Sequence, residues 1–166
     1  MIKWSTANTA AGPFTAVVDA DDVVLASGWT ARLDELVPQI SRDLLSAAPR
    51  ESADLGPVTR AIRDYHAGDV RAIDEIPVRQ RSGEFLEHAW EVLRKVPAGE
   101  PVSYTEFATL AGRPQAVRAA AAACARNAAA LFVPCHRVLR SDGSLGGFRW
   151  GLPVKRWLLD HERTTA

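Results

Sequence analysis

The sequence predicts a mixed α/β (α+β) fold: a small N-terminal α/β lobe with a β-hairpin sheet, followed by a mostly helical domain with a helix-turn-helix and a candidate active-site loop. Two observations carry most of this prediction. Strand-forming runs lie on both sides of a polar turn within residues 14–29, and apolar residues recur at helical spacing in several later segments. The predicted domains are residues 1–78 and 79–166.

The first lobe is predicted to contain a hairpin, two helices and a connecting segment. Residues 14–29 read FTAVVDADDVVLASGW, in which two β-rich runs surround Ala-Asp-Asp. Residues 30–46 carry leucine, isoleucine and valine at helical spacing, with Pro38 as a kink or break. A second helix is predicted over residues 57–67, because this run begins with proline and stops before glycine. Residues 69–80 are interpreted as a connection with a short Ile-Pro-Val strand.

The second domain is predicted to begin with three helices. An apolar stripe that begins near Ser82 predicts the first helix, which ends before a Pro-Ala-Gly turn. Ser103 stands three residues before Glu106, a capping-box pattern that opens the second helix, and Gly112 closes it. The third helix covers residues 115–126 and is rich in alanine, which favours helix formation and leaves a slim profile. The second and third helices, joined by a tight turn, predict a helix-turn-helix.

The formal net charge of zero hides an asymmetry along the chain. Residues 1–101 hold 11 Lys/Arg against 16 Asp/Glu, a balance of −5, whereas residues 102–166 hold 9 against 4, a balance of +5. Eight of the nine C-terminal cations are arginines, and Arg118 and Arg126 are expected on the same general side of the alanine-rich helix. A face that binds a polyanion would show this distribution, although ordinary surface charge explains it about as well.

Composition argues against several classes of protein. With 166 residues, 47 % of them apolar, the chain can bury a core, and a disordered protein is not expected. No run of about 18 apolar residues predicts a membrane span, and the N-terminus lacks the pattern of a signal peptide. Two cysteines make no disulfide framework, so a cytoplasmic location is predicted.

Residues 133–138 read VPCHRV and place a thiol, an imidazole and a guanidinium side by side. Three interpretations of Cys135 stay open from these residues alone. A metal site would need more donors than Cys135 and His136, a buried cysteine can simply fill the core, and a nucleophile would need neighbours that lower the pKa of the thiol. The nucleophile interpretation also calls for an acidic group that orients the histidine. The candidates are Glu106, Asp160 and Glu162.

The end of the chain is predicted to be helical. A tight turn at Ser-Asp-Gly-Ser and a flexible Gly146-Gly147 precede this helix, which covers about residues 152–163. The side chains expected to face inward are Val154, Trp157, Leu158 and His161, with Glu162 beside them.

The wider setting of the Pro-Cys-His-Arg loop resembles a known family. An asparagine stands eight residues before the cysteine, the helix VRAAAAACA precedes it, and SDGSLGGFRWG and VKRWLL follow. Over about residues 82–163 these motifs resemble the O6-alkylguanine-DNA alkyltransferases (methylated-DNA–protein-cysteine S-methyltransferases), and most of all the C-terminal domain of the bacterial adaptive-response protein. The N-terminal lobe resembles the family only in outline.

The resemblance implies DNA repair by a reaction that each protein molecule performs once. Cys135 would attack the alkyl carbon on O6 of guanine, with O4 of thymine as a further candidate, and would keep the alkyl group as a thioether. His136 would act as a base toward the thiol through a water, and Glu162 would orient His136. Asn127 would brace the active-site turn, and Tyr104 would donate to guanine N3 and stabilise the departing guanine anion.

The resemblance also implies contact with double-stranded DNA through the minor groove, which discriminates bases poorly and so suits damage in any sequence. Arg118 would enter the duplex and fill the place of the extruded base. The other residues expected to contact DNA are Ser103, Gln115, Ala119 and Arg126. The substrate pocket would be lined by Cys124, Pro134, Val138, Phe148, Arg149 and Trp150, with Lys155 supporting the loop. No cofactor is implied, because the substrate carries its own alkyl group, and a monomer without a metal is expected.

Four features depart from many relatives, and none removes a reactive residue. Phe148 replaces a tyrosine and lacks its hydroxyl, and Trp150 replaces a glycine, which would disfavour bulky O6 groups. Cys124 lies on the helix expected to read DNA, where packing is its expected role. Ala128 and Ala130 stand where some relatives have prolines, so the loop that follows is expected to be less rigid.

Three other functions remain as alternatives. They are a non-catalytic alkylated-base-binding protein of the same family, a cysteine-dependent hydrolase or acyltransferase, and a transcriptional regulator that uses the helix-turn-helix. Binding without transfer would favour the first, and turnover well beyond one equivalent would favour the second. Sequence-specific operator binding would favour the third.

Overall fold

A computed structural model describes residues 1–165 and confirms the mixed α+β fold. The chain divides into two compact units, of which the first comprises Met1–Arg81 and Ala128–Phe132. The second comprises Ser82–Asn127 and the chain from Val133 onward. The assignment of residues 1–78 and 79–166 as separate folding domains stays a prediction.

The first unit is built on a four-stranded sheet with the order β3-β2-β1-β4. The strands are β1 (Lys3–Thr9), β2 (Gly12–Val18), β3 (Val24–Gly28) and β4 (Arg50–Glu51). The antiparallel pair β2 and β3 is the predicted hairpin, and its core-facing residues are fully buried. Strand β1 pairs with β2 along its whole length, yet its sequence KWSTANT lacks the apolar alternation that predicts a strand.

The predicted helix over residues 30–46 is wrong. This segment contains only two short 3₁₀ turns, Leu33–Glu35 and Val37–Gln39. Pro38 lies within the second turn, and because proline has no amide hydrogen it cannot continue an α-helical ladder. By contrast, α1 (Pro57–His66) forms as predicted and buries Val58, Ile62 and Tyr65 among others. The predicted Ile-Pro-Val strand is reduced to an isolated bridge between Val24 and Val78.

The second unit contains four helices and a short parallel strand pair. The helices are α2 (Glu84–Leu93), α3 (Tyr104–Leu110), α4 (Val117–Ala125) and α5 (Leu152–Thr165), and the strands are β5 (Val102–Ser103) and β6 (Val138–Leu139). Ser103 and Glu106 form both bonds of the predicted capping box. No helix within residues 1–165 is long and apolar enough to cross a bilayer.

Two details of these helices differ from the predictions. Helix α4 begins at Val117 rather than at residue 115, and Arg126 lies beyond its end as the C-cap, so Arg126 does not project from the helix. In α5 the buried residues are Lys155, Leu158 and Glu162, whereas the predicted inward residues Val154, Trp157 and His161 are only partly buried. The inner face of α5 therefore carries two charged side chains, which are stable there only with partners.

Candidate active site

The Pro-Cys-His-Arg segment forms a 3₁₀ turn over Cys135–Arg137 that leads directly into β6. The amide of Cys135 donates to the carbonyl of Val133 at 2.8 Å, and the amide of Arg137 donates to Pro134 at 3.0 Å. All three side chains of the turn are buried, with Cys135 8 % exposed and His136 fully enclosed. A thiol, an imidazole and a guanidinium are thus held inside the second unit by a short, tightly bonded turn.

His136 is paired with Glu162 on α5. The Nε2 atom of His136 lies 2.7 Å from Oε2 of the carboxylate, and both side chains are buried. Burial lowers the pKa of His136 below its ordinary value although Glu162 acts to raise it, so the imidazole is neutral at pH 7. A neutral ring that donates its Nε2 hydrogen to the carboxylate keeps a lone pair on Nδ1. This Nδ1 is buried without a hydrogen-bond partner among residues 1–165, as a base awaiting a proton requires.

Glu162 is also the partner of Arg137. Nε of Arg137 donates to Oε1 at 3.0 Å and Nη2 donates to Oε2 at 2.9 Å, which gives the bidentate geometry of a strong ion pair. The remaining arm donates to the carbonyl of Val96 at 2.8 Å. Burial acts to raise the pKa of Glu162, but its contacts with His136 and Arg137 outweigh this and hold the pKa well below its usual range. Glu162 is therefore ionised, and one carboxylate fixes both His136 and Arg137.

Burial dominates the environment of the Cys135 thiol. It raises the pKa of Cys135, against a hydrogen bond from Asn127 and the nearby charges of Lys155 and Arg149, which lower it. Asn127 also donates from Nδ2 to the carbonyl of Val133 at 2.8 Å. The same side chain therefore braces the turn and bonds to the Cys135 thiol. Since the thiol stays protonated at neutral pH, Cys135 needs a base before it can act as a nucleophile.

Lys155 is fully buried, and its ammonium bonds to three carbonyl oxygens. Its Nζ donates to Val138 at 2.9 Å, to Gly147 at 3.3 Å and to Leu145. Burial lowers the pKa of Lys155, whereas the neighbouring thiols act to raise it. These contacts agree with the expectation that Lys155 supports the loop. Its charge also lies near Cys135 and acts to lower the pKa of the thiol.

Tyr104, the first residue of α3, lies against the same loop. A Cβ atom placed on Gly146 would lie 3.2 Å from the Tyr104 hydroxyl oxygen, and Gly146 has a φ of +72°, so only glycine fits this approach without strain. Burial, followed by the charges of Cys124 and Cys135, raises the pKa of Tyr104 to about 12. The phenol therefore keeps its proton at neutral pH and can donate a hydrogen bond.

The structure selects among the three acidic candidates for orienting His136. Asp160 is exposed and pairs with Arg163 at 3.0 Å, and Glu106 is engaged in the cap of α3, which leaves Glu162. The predicted residues Cys135, His136, Glu162 and Asn127 thus come together. The sequence assigned no role to Arg137. Its need for a carboxylate partner follows from its burial, which the structure shows.

The remaining predicted residues lie around this centre or on the surface. Among the predicted DNA contacts, Gln115, Arg118 and Arg126 are exposed, Ala119 is partly buried, and the hydroxyl of Ser103 accepts the capping bond from Glu106. Among the predicted pocket residues, Pro134 and Val138 are buried, Cys124, Phe148 and Trp150 are partly buried, and Arg149 is exposed. Burial raises the pKa of Cys124, as expected for a packed thiol. Within residues 1–165 no three His, Cys, Asp or Glu side chains are grouped so that they could hold a metal ion.

Comparison with known proteins identifies the family. Residues 84–164 match the model of the 6-O-methylguanine DNA methyltransferase DNA-binding domain. The chain is 30 % identical to the methylated-DNA–protein-cysteine methyltransferase of Shigella flexneri. The aligned 156 residues cover 93 % of this chain and 91 % of that protein. The chain is 48 % identical over 87 residues to the bifunctional transcriptional activator/DNA repair enzyme Ada of Escherichia coli, which covers 52 % of this chain but only 25 % of Ada.

A solved structure extends the similarity to both units. The crystal structure of Mycobacterium tuberculosis OGT in complex with DNA superposes with a TM-score of 0.80 at 27 % identity, over 99 % of this chain and 94 % of that one. The site therefore lies in a fold and a sequence context that this family shares. On these grounds the chain belongs to the family of methylated-DNA–protein-cysteine methyltransferases.

Proposed function

We propose that this protein repairs DNA by transferring an alkyl group from O6 of guanine to the sulfur of its own Cys135. One observation carries the proposal: buried Cys135 is followed by a histidine whose Nε2 is bonded to Glu162 and whose Nδ1 is left as an acceptor. The relatives are named for methyl transfer to a protein cysteine, and one solved relative is in complex with DNA.

The chemistry divides among four side chains. Nδ1 of His136 takes the thiol proton through a water, and Glu162 stabilises the imidazolium that forms. The Cys135 thiolate attacks the alkyl carbon, an S–C bond forms, and the C–O bond breaks with its electron pair left on guanine. Tyr104 donates a hydrogen bond to guanine N3 and so stabilises that negative charge, which the proton held by His136 balances. A thioether has no good leaving group, so each protein molecule reacts once. The reaction needs no cofactor, because the substrate carries its own alkyl group.

Access to O6 requires the damaged nucleotide to leave the base stack. Flipping a nucleotide costs about a few kcal/mol, and a side chain that fills the gap offsets part of that cost. Arg118 is exposed on α4, and the slim alanine side chains around it allow the helix to approach the minor groove closely. We infer that α3 and α4 bind duplex DNA there, with Arg118 occupying the place of the flipped base.

Mass spectrometry after reaction with DNA tests the proposed function directly. Trypsin places Cys135 in the peptide of residues 127–137 and Cys124 in the peptide of residues 119–126, so the two thiols are read separately. After mixing with a duplex that contains O6-methylguanine, we expect the 127–137 peptide to gain the mass of one methylene, up to one equivalent. DNA binding with an unmodified peptide would refute the proposal. Hydrolysis of an activated ester well beyond one equivalent would favour a hydrolase.

Arg118→Ala is expected to slow repair in duplex DNA by about 10- to 100-fold, because a loss of about 1.4 kcal/mol corresponds to tenfold in rate. Reaction with free O6-benzylguanine, which needs no flipping, should change by less than about twofold. Single-turnover rates on both substrates measure this difference. The matched control is Arg156→Ala, which removes an exposed arginine from α5. Equal losses on both substrates would contradict the role of Arg118.

A further inference from the structure

The loop over residues 146–151, here called the pocket loop, contains three glycines, Gly146, Gly147 and Gly151. Gly146 and Gly151 have φ angles of +72° and +100°, and one internal bond runs from the amide of Gly151 to the carbonyl of Phe148 at 3.1 Å. Lys155 bonds to Gly147 near the start of the loop. Side-chain contacts made by the middle of the pocket loop add to these bonds.

Arg149 makes such a contact. Its Nη2 donates to the carbonyl of Ala125, the last residue of α4, at 2.8 Å. The last carbonyls of a helix lack intrahelical donors and carry the negative end of the helix dipole, so a guanidinium is favoured there as both donor and charge. This bond links the pocket loop to the same helix that carries Arg118.

The pocket loop also touches the proposed reaction groups. Gly146 lies against the Tyr104 hydroxyl, and the charge of Arg149 is close enough to lower the pKa of Cys135 against the larger effect of burial. A shift of the loop would therefore change the space beside Tyr104. It would also change the room left for the group that Cys135 receives.

We propose that Arg149 is a positioning residue that ties the pocket loop to the C-terminal end of α4 and so restricts the size of the O6 substituent. The effect of Arg149 on alkyl transfer rests on the proposed function, whereas the bond from Arg149 to Ala125 does not. An exposed arginine could instead bind a DNA phosphate, and the two roles make different predictions.

Hydrogen exchange without DNA tests the tie. The reporter is the amide of Gly151, which is bonded within the loop. In Arg149→Ala we expect this amide to exchange about tenfold faster, because the loop loses a hydrogen bond from a charged group and opens more often. Arg149→Gln, which keeps a donor without the charge, should restore part of the protection, and Arg156→Ala should leave it unchanged. Unchanged exchange of Gly151 in Arg149→Ala would overturn the proposal.

Substrate range and salt dependence test the consequence. We expect Arg149→Ala to raise the ratio of the rates with O6-benzylguanine and O6-methylguanine several-fold, because a released loop accepts a larger group. Affinity for undamaged duplex and its salt dependence should stay at the values of the unaltered protein. A salt slope reduced by about one would indicate a phosphate contact and overturn the positioning role. If the unaltered protein transfers no alkyl group, the proposed function fails, while the exchange of Gly151 still decides whether Arg149 ties the loop.

Discussion

Cys135→Ser is expected to abolish alkyl transfer to the protein while leaving a folded molecule that still binds DNA. A serine hydroxyl is smaller than the thiol and can accept the hydrogen bond that Asn127 now gives to Cys135. It is a far weaker nucleophile, since its proton is much harder to remove than that of a thiol, and His136 cannot make up the difference. We therefore expect no mass gain on the 127–137 peptide and an unchanged unfolding transition.

Cys124→Ser is the matched control, because it removes the other thiol and leaves the Cys135 turn intact. Cys124 is partly buried on α4, and burial raises its pKa, as expected for a packed thiol. We expect transfer at close to the rate of the unaltered protein. If Cys135→Ser still accepted a methyl group, and the label appeared on the 119–126 peptide, Cys124 would be the acceptor and the assignment of Cys135 would be wrong.

The fold was predictable wherever local chemistry and packing agree. The hairpin of β2 and β3, the proline-initiated α1 and the capping box of α3 all follow from short patterns that the structure retains. Prediction failed at residues 30–46, where apolar spacing suggested a helix but proline in the second turn prevents one. It failed again for β1, whose place in the sheet is set by pairing with β2 rather than by its own polar sequence.

The site was predictable only in part for a related reason. Periodicity assigns charged residues to the outside of a helix, so it placed Val154, Trp157 and His161 inward on α5. The structure instead buries Lys155 and Glu162, because carbonyl oxygens surround the ammonium and Arg137 and His136 flank the carboxylate. These partners lie 8 to 26 residues away in sequence, and no short pattern could reveal them. Family resemblance supplied Glu162, but the geometry was needed to show that it holds Arg137 as well.

Glu162→Gln is expected to lower the free energy of unfolding by about 3–5 kcal/mol, the range seen when one partner of a buried ion pair is removed. Glutamine keeps the shape and one acceptor oxygen, so the loss reports the charge that neutralises buried Arg137. The pKa of Glu162 in the folded protein is below its value in the unfolded chain. The stabilisation is therefore complete above about pH 4.3, the ordinary pKa of glutamate, and is lost as the pH falls toward the folded value. Urea unfolding should show the difference between the two proteins shrinking on acidification.

The same substitution should slow alkyl transfer by about 10²- to 10⁴-fold, the usual contribution of a positioned base. A glutamine amide can donate to Nε2 of His136, which moves the ring hydrogen to Nδ1 and removes the lone pair that takes the thiol proton. The loss of rate should therefore persist at low temperature, where the variant is folded, and for free O6-benzylguanine as well as duplex DNA. The matched control is Asp160→Asn, an exposed carboxylate on the same helix, which should keep both stability and rate. If Glu162→Gln unfolded with the same free energy as Asp160→Asn, the stabilising role of the buried carboxylate would be wrong. If the two variants transferred the alkyl group at the same rate, its role in orienting His136 would be wrong.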